Sequence, residues 1–322
     1  MKILATLGPS SLNKKFLKFS NNNISLLRIN LSHVSTKQLP KIINFVRKHS
    51  KVPLCVDTEG AQIRSKVIKK KFYRLNKKLS FSKNKNTNIF YPPYVLDKLK
   101  NKDELDVGFS GLKFKVIKNN KYKIIFKTTN PGWLENNKGV HLINRKIKLN
   151  FLTEKDIKAI NITKKMKIKN FALSFTNKVE DVIKFSKLLK KENKIYKIET
   201  KEAIKNLNKI LKKGKYFLID RGDLSKEISI EMIPVAQRQI IMSAKKLPNK
   251  EVFVATNFLE SMLQNNFATR GEVNDIYSTM RLGAKGLVLA AETAIGKHPI
   301  ACVQLLKRVY KIFMKNKKKF NI

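Results

Sequence analysis

Two short strings carry residue types that could do chemistry together. The first is Tyr216–Glu227, YFLIDRGDLSKE. Its apolar Tyr216–Ile219 reads as a buried parallel strand. Asp220 and Asp223 then bracket Arg221-Gly222, in a turn that leads into Leu224-Ser225. This puts a carboxylate at a strand's C-terminal end and opens a helical turn with free backbone N–H groups. A divalent cation and an anion could lie side by side there. A strand-to-helix loop in which Asp223 merely caps the turn has the same sequence. The second string is Lys194–Ala203, KIYKIETKEA. Alternate side chains of a strand share a face, so Lys197 and Glu199 point into one interior. They form either a structural ion pair or a phosphoryl-binding cation beside a metal-binding carboxylate. With Asp223 one strand further on, two carboxylates and a lysine would converge.

Such residues need a frame that brings strand ends together. Eight short apolar runs supply one: 2–7, 25–30, 52–57, 170–175, 194–199, 216–220, 252–257 and 286–291. Most are separated by stretches with helical periodicity, at 39–49, 153–163, 179–190, 201–212, 235–246 and 275–282, and a last one at 300–314 closes the series. Eight strand–helix alternations predict an α/β fold, a (β/α)8 barrel. One gap breaks the rhythm. Residues 65–148 are rich in Lys and Asn, with strand-like pieces at 113–117 and 121–126 and turn signals at Asn119-Asn120 and Pro131-Gly132. They read as a small β-barrel-like lid domain inserted after the third strand, leaving 1–64 and 149–322 as the catalytic barrel. Active sites of such barrels lie at the C-terminal strand ends. Here those ends are polar: Arg28-Ile29-Asn30, Asp57-Thr58, Ser174, Lys197 and Glu199, Asp223, Thr256-Asn257 and Glu292-Thr293.

Composition bounds the rest. The 322 residues are 42% hydrophobic, enough for a core. No run of about 18 apolar residues predicts a transmembrane helix, and MKILATLGPSS has no signal-peptide stretch. Cys55 and Cys302 both sit in apolar settings and read as buried reduced thiols of a cytoplasmic protein. The net charge of +46 invites nucleic acid or an anionic surface. But the Lys is spread along the chain with much Asn and Ile, a bias expected of AT-rich codons. With no basic–aromatic module, nucleic acid is not the expected partner. The charge is read as a solvated face that steers anionic substrates.

The motifs in order resemble pyruvate kinase. ATLGPSS (5–11), LLRINLSH (26–33) and DTEGAQIR (57–64) are similar to that family's opening strands and its entry to the lid. GVHL (139–142) and LTEKD (152–156) resemble the exit. KIETKEA, DRGDLSKEISIEMIP, VATNFLESM, ATRGEVND and ETAIGKHP complete the series to about residue 310. The resemblance implies transfer of a phosphoryl group from phosphoenolpyruvate to ADP, with Mg2+ (or Mn2+) and K+ as cofactors. It implies that Arg28 binds the substrate phosphate, that Arg64 faces the transferring group and that Lys197 stabilises its charge. Glu199 and Asp223 would hold the divalent metal, and Asn30, Ser32, Asp57 and Thr58 the potassium ion. The backbone of Gly222 and Asp223 would take the substrate carboxylate. Thr256 would sit over the face where the enol is protonated. Family members associate, so a homo-oligomer through the barrel is a further expectation.

The chain departs from the family at several places. It carries Ala290-Ala291-Glu292-Thr293 for Ser-Gly-Glu-Thr, Asn257 for Gln, Ala61 and Gln62 for Pro and Glu, and Phe109-Ser110-Gly111 for Asp-Asp-Gly. It lacks the Arg expected after Ser174-Phe175. The chain stops at Ile322, which predicts the family's C-terminal domain to be absent and control by sugar phosphates with it. With Gln62 unable to supply a positive charge, Asp57 is expected to stay an unpaired carboxylate and potassium to be required. The departures cluster on the lid and the nucleotide side. Two other readings therefore stand beside the kinase: a paralogue running another reaction on phosphoenolpyruvate or pyruvate, and a basic binding protein with an idle barrel.

Overall fold

A computed structural model describes residues 1–83, 89–108 and 111–317. These divide into two compact units, 1–60 with 154 onward, and 61–153. The sequence junctions stood at 64/65 and 148/149, so Arg64 falls in the second unit. Phe109 and Ser110 lie outside the described residues.

The first unit is a closed barrel of eight parallel strands. They are β1 (Lys2–Thr6), β2 (Leu26–Asn30), β3 (Leu54–Asp57), β4 (Asn170–Leu173), β5 (Asn193–Ile198), β6 (Tyr216–Asp220), β7 (Glu251–Ala255) and β8 (Gly286–Leu289). Neighbours in sequence pair in space, and β1 closes the ring on β8 with Lys2 opposite Gly286. All eight apolar runs read from the sequence are barrel strands. Helices alternate with them, among them Lys14–Ser20, Leu39–His49, Glu154–Lys165, Val179–Leu188, Ile233–Lys245, Arg270–Leu282 and Pro299–Asn316. Their starts and stops follow capping chemistry. Thr269 and Glu272 form a reciprocal capping box, and Gly283 ends that helix at φ 104°, the left-handed cap that suits glycine.

Parallel strands covered by helices are apolar on both faces. Inside the ring Leu4, Cys55, Ala172, Ile195, Leu218, Phe253 and Val288 pack together. Both cysteines are free and buried. Burial raises both thiols, that of Cys302 to about 12, so neither of these core thiols is a nucleophile at neutral pH.

The second unit is antiparallel. Seven strands run in the order Lys78–Ser82, Lys123–Asn130, Lys113–Asn119, Glu104–Val107, Gly139–Leu142, Ile63–Ser65 and Phe90–Tyr91. A two-stranded ribbon, Lys71–Tyr73 with Gly132–Leu134, accompanies them. This unit has its own core around Phe90, Phe114 and Phe126. Asn119-Asn120 leads into the turn before Lys123–Asn130, whereas Pro131 is a single residue linking that strand to Gly132–Leu134 and Gly132 is itself in a strand.

Candidate active site

The barrel's apolar interior gives way to charge by simple alternation. Leu4, Leu26, Cys55, Ile195 and Leu218 line the core. Two residues on, and so on the same inward face, stand Thr6, Arg28, Asp57, Lys197 and Asp220. The strands end within a residue or two of these positions, which places the polar set at the C-terminal mouth.

Lys197 is the hub. Its Nζ lies 2.9 Å from Glu199 Oε2, 3.2 Å from Asp220 Oδ2 and 3.6 Å from Asp57 Oδ2. It also donates to Ser174 Oγ at 3.2 Å. Lys197 is 3% exposed and Glu199 is not exposed at all. Burial alone would lower the Lys197 pKa, but Asp57, Glu199 and Asp220 outweigh it and hold the ammonium above its ordinary range. Arg28 makes a second tie. Its Nε donates to Asp57 Oδ2 at 2.6 Å, its Nη2 lies 2.5 Å from the same oxygen, and its Nη1 donates to Thr6 Oγ1 at 2.9 Å. Asp57 is therefore paired, contrary to the unpaired carboxylate expected from Gln62. The partner comes not from the adjacent loop but from one strand away, where register sets Arg28 opposite Cys55.

Glu199, Asp220 and Asp223 offer carboxylate oxygens all within 4.8 Å of one another. Glu199 Oε1 accepts from the Phe175 N–H at 2.6 Å. Its Oε2 is close to Lys197 but out of hydrogen-bonding alignment, and so is a buried acceptor without an aligned donor. Three hard oxygens, one of them orphaned, suit Mg2+ or Mn2+. Asp220 is the member that the sequence reading left out of the metal set. Its pKa is lowered, because Lys197 and Arg28 outweigh the effect of burial. Asp223 is half-buried and takes Lys226 Nζ at 2.8 Å.

Burial, with Asp223 and Asp220 nearby, pushes Glu199 up to about 8 despite Lys197. The folded, metal-free chain thus keeps a proton that the unfolded chain loses above about pH 4.5. Its stability falls as pH rises between those two values. A cation must displace that proton. We expect Mg2+ affinity, measured by calorimetry, to rise by up to about tenfold per unit from pH 6 to 8 and then level off. A flat profile would remove Glu199 from the metal site.

The remaining expected residues fall as follows. Asn30 sits opposite Asp57 across β2 and β3. Asn30 Oδ1 accepts from the Ser32 N–H, and Thr58 Oγ1 from the Ser174 N–H, each at 3.0 Å. Beside them Lys155 donates to the Leu31 carbonyl and to Glu59 Oε1, the latter at 2.8 Å. Gly222 opens the one-turn helix Arg221–Leu224, but its N–H is taken by Thr256 Oγ1 at 2.8 Å. Thr256 has φ +76° and Asn257 +56°. A β-branched residue in that region is an outlier worth about 1–3 kcal/mol of strain. Arg64, on Ile63–Ser65, reaches the Asn137 carbonyl at 3.4 Å and leaves a buried Nε without a partner. Asn257 donates to Glu260 at 2.6 Å. Glu292 is buried and receives the N–H groups of Phe258, Leu259 and Ala290. Its place in the mouth is structural.

The family model for the pyruvate kinase barrel domain matches residues 1–303. The chain belongs to the pyruvate kinase family. A pyruvate kinase of Methanocaldococcus jannaschii is 32% identical over 317 residues, covering 97% of this chain and 69% of the relative. One from Thermotoga maritima is 32% identical over 327 residues, with 96% and 70% covered. For one from Staphylococcus saprophyticus the values are 31%, 96% and 56%, so the chain spans about half of that relative. Family membership makes the chain a phosphotransferase by kinship. Among the described residues no helix is long and apolar enough to cross a membrane.

Proposed function

We propose that the chain transfers the phosphoryl group of phosphoenolpyruvate to ADP, giving pyruvate and ATP. The observation that carries this reading is the buried Lys197 ammonium at the barrel mouth, beside an orphaned carboxylate oxygen in a cluster of three acids. Phosphoryl transfer asks a protein for positioning and charge neutralisation more than for covalent work. Lys197 and Arg28 supply fixed positive charge in a dry site. Three of the five guanidinium N–H groups of Arg28 are engaged by Asp57 and Thr6, which leaves two for a phosphate oxygen. The one-turn helix at Gly222 and Asp223 takes the substrate carboxylate, which shares the Gly222 N–H with Thr256 Oγ1.

Glu199, Asp220 and Asp223 hold the divalent ion, which supplies charge neutralisation to the phosphoryl oxygens when bound. Thr256 lies beside the enol, and a water relayed there delivers the proton, since the one carboxylic acid at the mouth that holds a proton near neutral pH, Glu199, gives it up to the metal. Asn30, Ser32, Asp57 and Thr58 hold potassium through hard oxygens. With Asp57 already paired to Arg28, a bound potassium ion would supply order to these side chains and not the cancelling of a bare charge. We expect activity in tetramethylammonium buffer to be low and to return on potassium titration, with Asp57→Ala unresponsive. Full activity without potassium overturns that assignment.

The test of the function is pyruvate formation from phosphoenolpyruvate with Mg2+, K+ and ADP. Pyruvate released only with a non-nucleotide acceptor favours the paralogue reading.

A further inference from the structure

The chemistry above gives Arg221 no work, yet two of its three guanidinium nitrogens converge on one backbone oxygen. Arg221 Nε and Nη2 both donate to the Thr256 carbonyl, at 3.1 and 2.5 Å. Its Nη1 donates to Asp275 Oδ2 at 2.7 Å and lies 3.5 Å from Gln237 Oε1. The guanidinium carbon stands 4.2 Å from the centre of the Phe258 ring. Asp275 and Gln237 belong to two different barrel helices. Thr279 bridges them, accepting from Gln237 Nε2 at 3.1 Å and donating to Asp275 Oδ1 at 3.3 Å. The fork is thus anchored at its far end before it grips Thr256.

What it grips is the strained residue. Thr256 and Asn257 are successive non-glycine residues at positive φ. Such a conformation persists only where its surroundings over-determine it. Its result is local: Thr256 Oγ1 donates to the Ala255 carbonyl and accepts the Gly222 N–H at 2.8 Å.

We propose that Arg221 is a positioning residue, whose clamp on the Thr256 carbonyl holds that threonine left-handed and so keeps its hydroxyl at the Gly222 amide. This rests on the reading of the mouth as a phosphoenolpyruvate and pyruvate site. In that site the hydroxyl stands where the substrate's carboxylate binds and its methylene carbon takes a proton. Lysine cannot replace the clamp, since one ammonium does not reproduce a planar two-donor fork.

Running the protonation backwards isolates the step. With pyruvate, Mg2+ and K+ in D2O, a methyl C–H bond breaks. The proton leaves to a solvent-exchanging group and the bonding pair becomes the enolate C=C. A deuteron from solvent then restores the methyl group. NMR reads the loss of methyl protons, and no ADP is needed. We expect Arg221→Met and Arg221→Lys to slow this exchange and kcat by about 10²-fold, the usual effect of a displacement near 1 Å, with KM for phosphoenolpyruvate changed little. Asp275→Asn, which frees the anchor but keeps the fork, should give a smaller loss of the same kind. Adding Arg221→Met to Thr256→Ala should cost nothing further, because the two act as one unit. Hydrogen exchange of the Gly222 amide should accelerate in Arg221→Met without any substrate present. Parental exchange and kcat in Arg221→Met, or multiplicative losses in the double variant, overturn the proposal. A parent chain that neither turns over nor exchanges pyruvate, but whose Gly222 amide still opens in Arg221→Met, sinks the reading of the site and leaves the clamp standing.

Discussion

Lys197→Met is expected to lower kcat by about 10²–10³-fold, the usual loss when one preorganised donor is taken from a transferring group. Methionine keeps the length of the stem and removes only the charge. The structure adds a second effect that is not confined to activity. Lys197 neutralises Asp57 and Asp220, and Glu199 once it ionises, in a site nearly closed to water. Removing one partner of a buried ion pair leaves an uncompensated charge and costs about 3–5 kcal/mol. The variant should therefore unfold at lower urea concentration, and the deficit should depend on pH. The carboxylates left behind are relieved by protonation, so the variant loses stability relative to the parent as pH rises from 5 to 8. Urea titrations at several pH values, with kcat measured under conditions where both chains are folded, separate the two effects. Parental turnover in the folded variant removes Lys197 from the mechanism.

Asp220→Asn tests the acid cluster at the member that spacing alone did not select. Asparagine preserves shape and one oxygen but gives up the charge. Loss of a mere outer partner of a metal costs roughly 10–100-fold in affinity. A direct ligand should cost at least that much, seen as a higher Mg2+ concentration for half-maximal rate. Binding of Mn2+ followed by electron paramagnetic resonance should weaken in parallel, with no catalysis involved. Glu199→Gln should behave alike. If Mn2+ binds both variants as it binds the parent, the cluster at Glu199, Asp220 and Asp223 is not the metal site.

The barrel was legible because its signal is local. Each strand is a short apolar run, and a buried parallel strand needs nothing subtler. Lys197 and Glu199 were legible for the same reason, since period-two alternation brings them to one face within a single strand. Asp220 stood in view at the end of β6, but a turn read by itself does not say which of two aspartates faces inward. Only the interior position of Leu218, two residues earlier, decides it. The partner of Asp57 was missed because strand register across β2 and β3 chose Arg28, and register is set by the whole ring. The Arg221 clamp was hidden more deeply. Its contacts come from β7's end and from two helices distant in sequence, and no spacing in the chain announces a threonine at positive φ.

Closure of the ring by β1 on β8 sets a timetable for folding. Residues 7–285 lie between the two strands. During synthesis at about 5–20 residues per second, β1 waits roughly a quarter of a minute to a minute for its last neighbour. Until then the growing sheet has open edges, the form in which strands recruit other chains. Pairing over so long a span also folds slowly once the chain is complete. Newly made copies therefore spend their most aggregation-prone interval before β8 emerges.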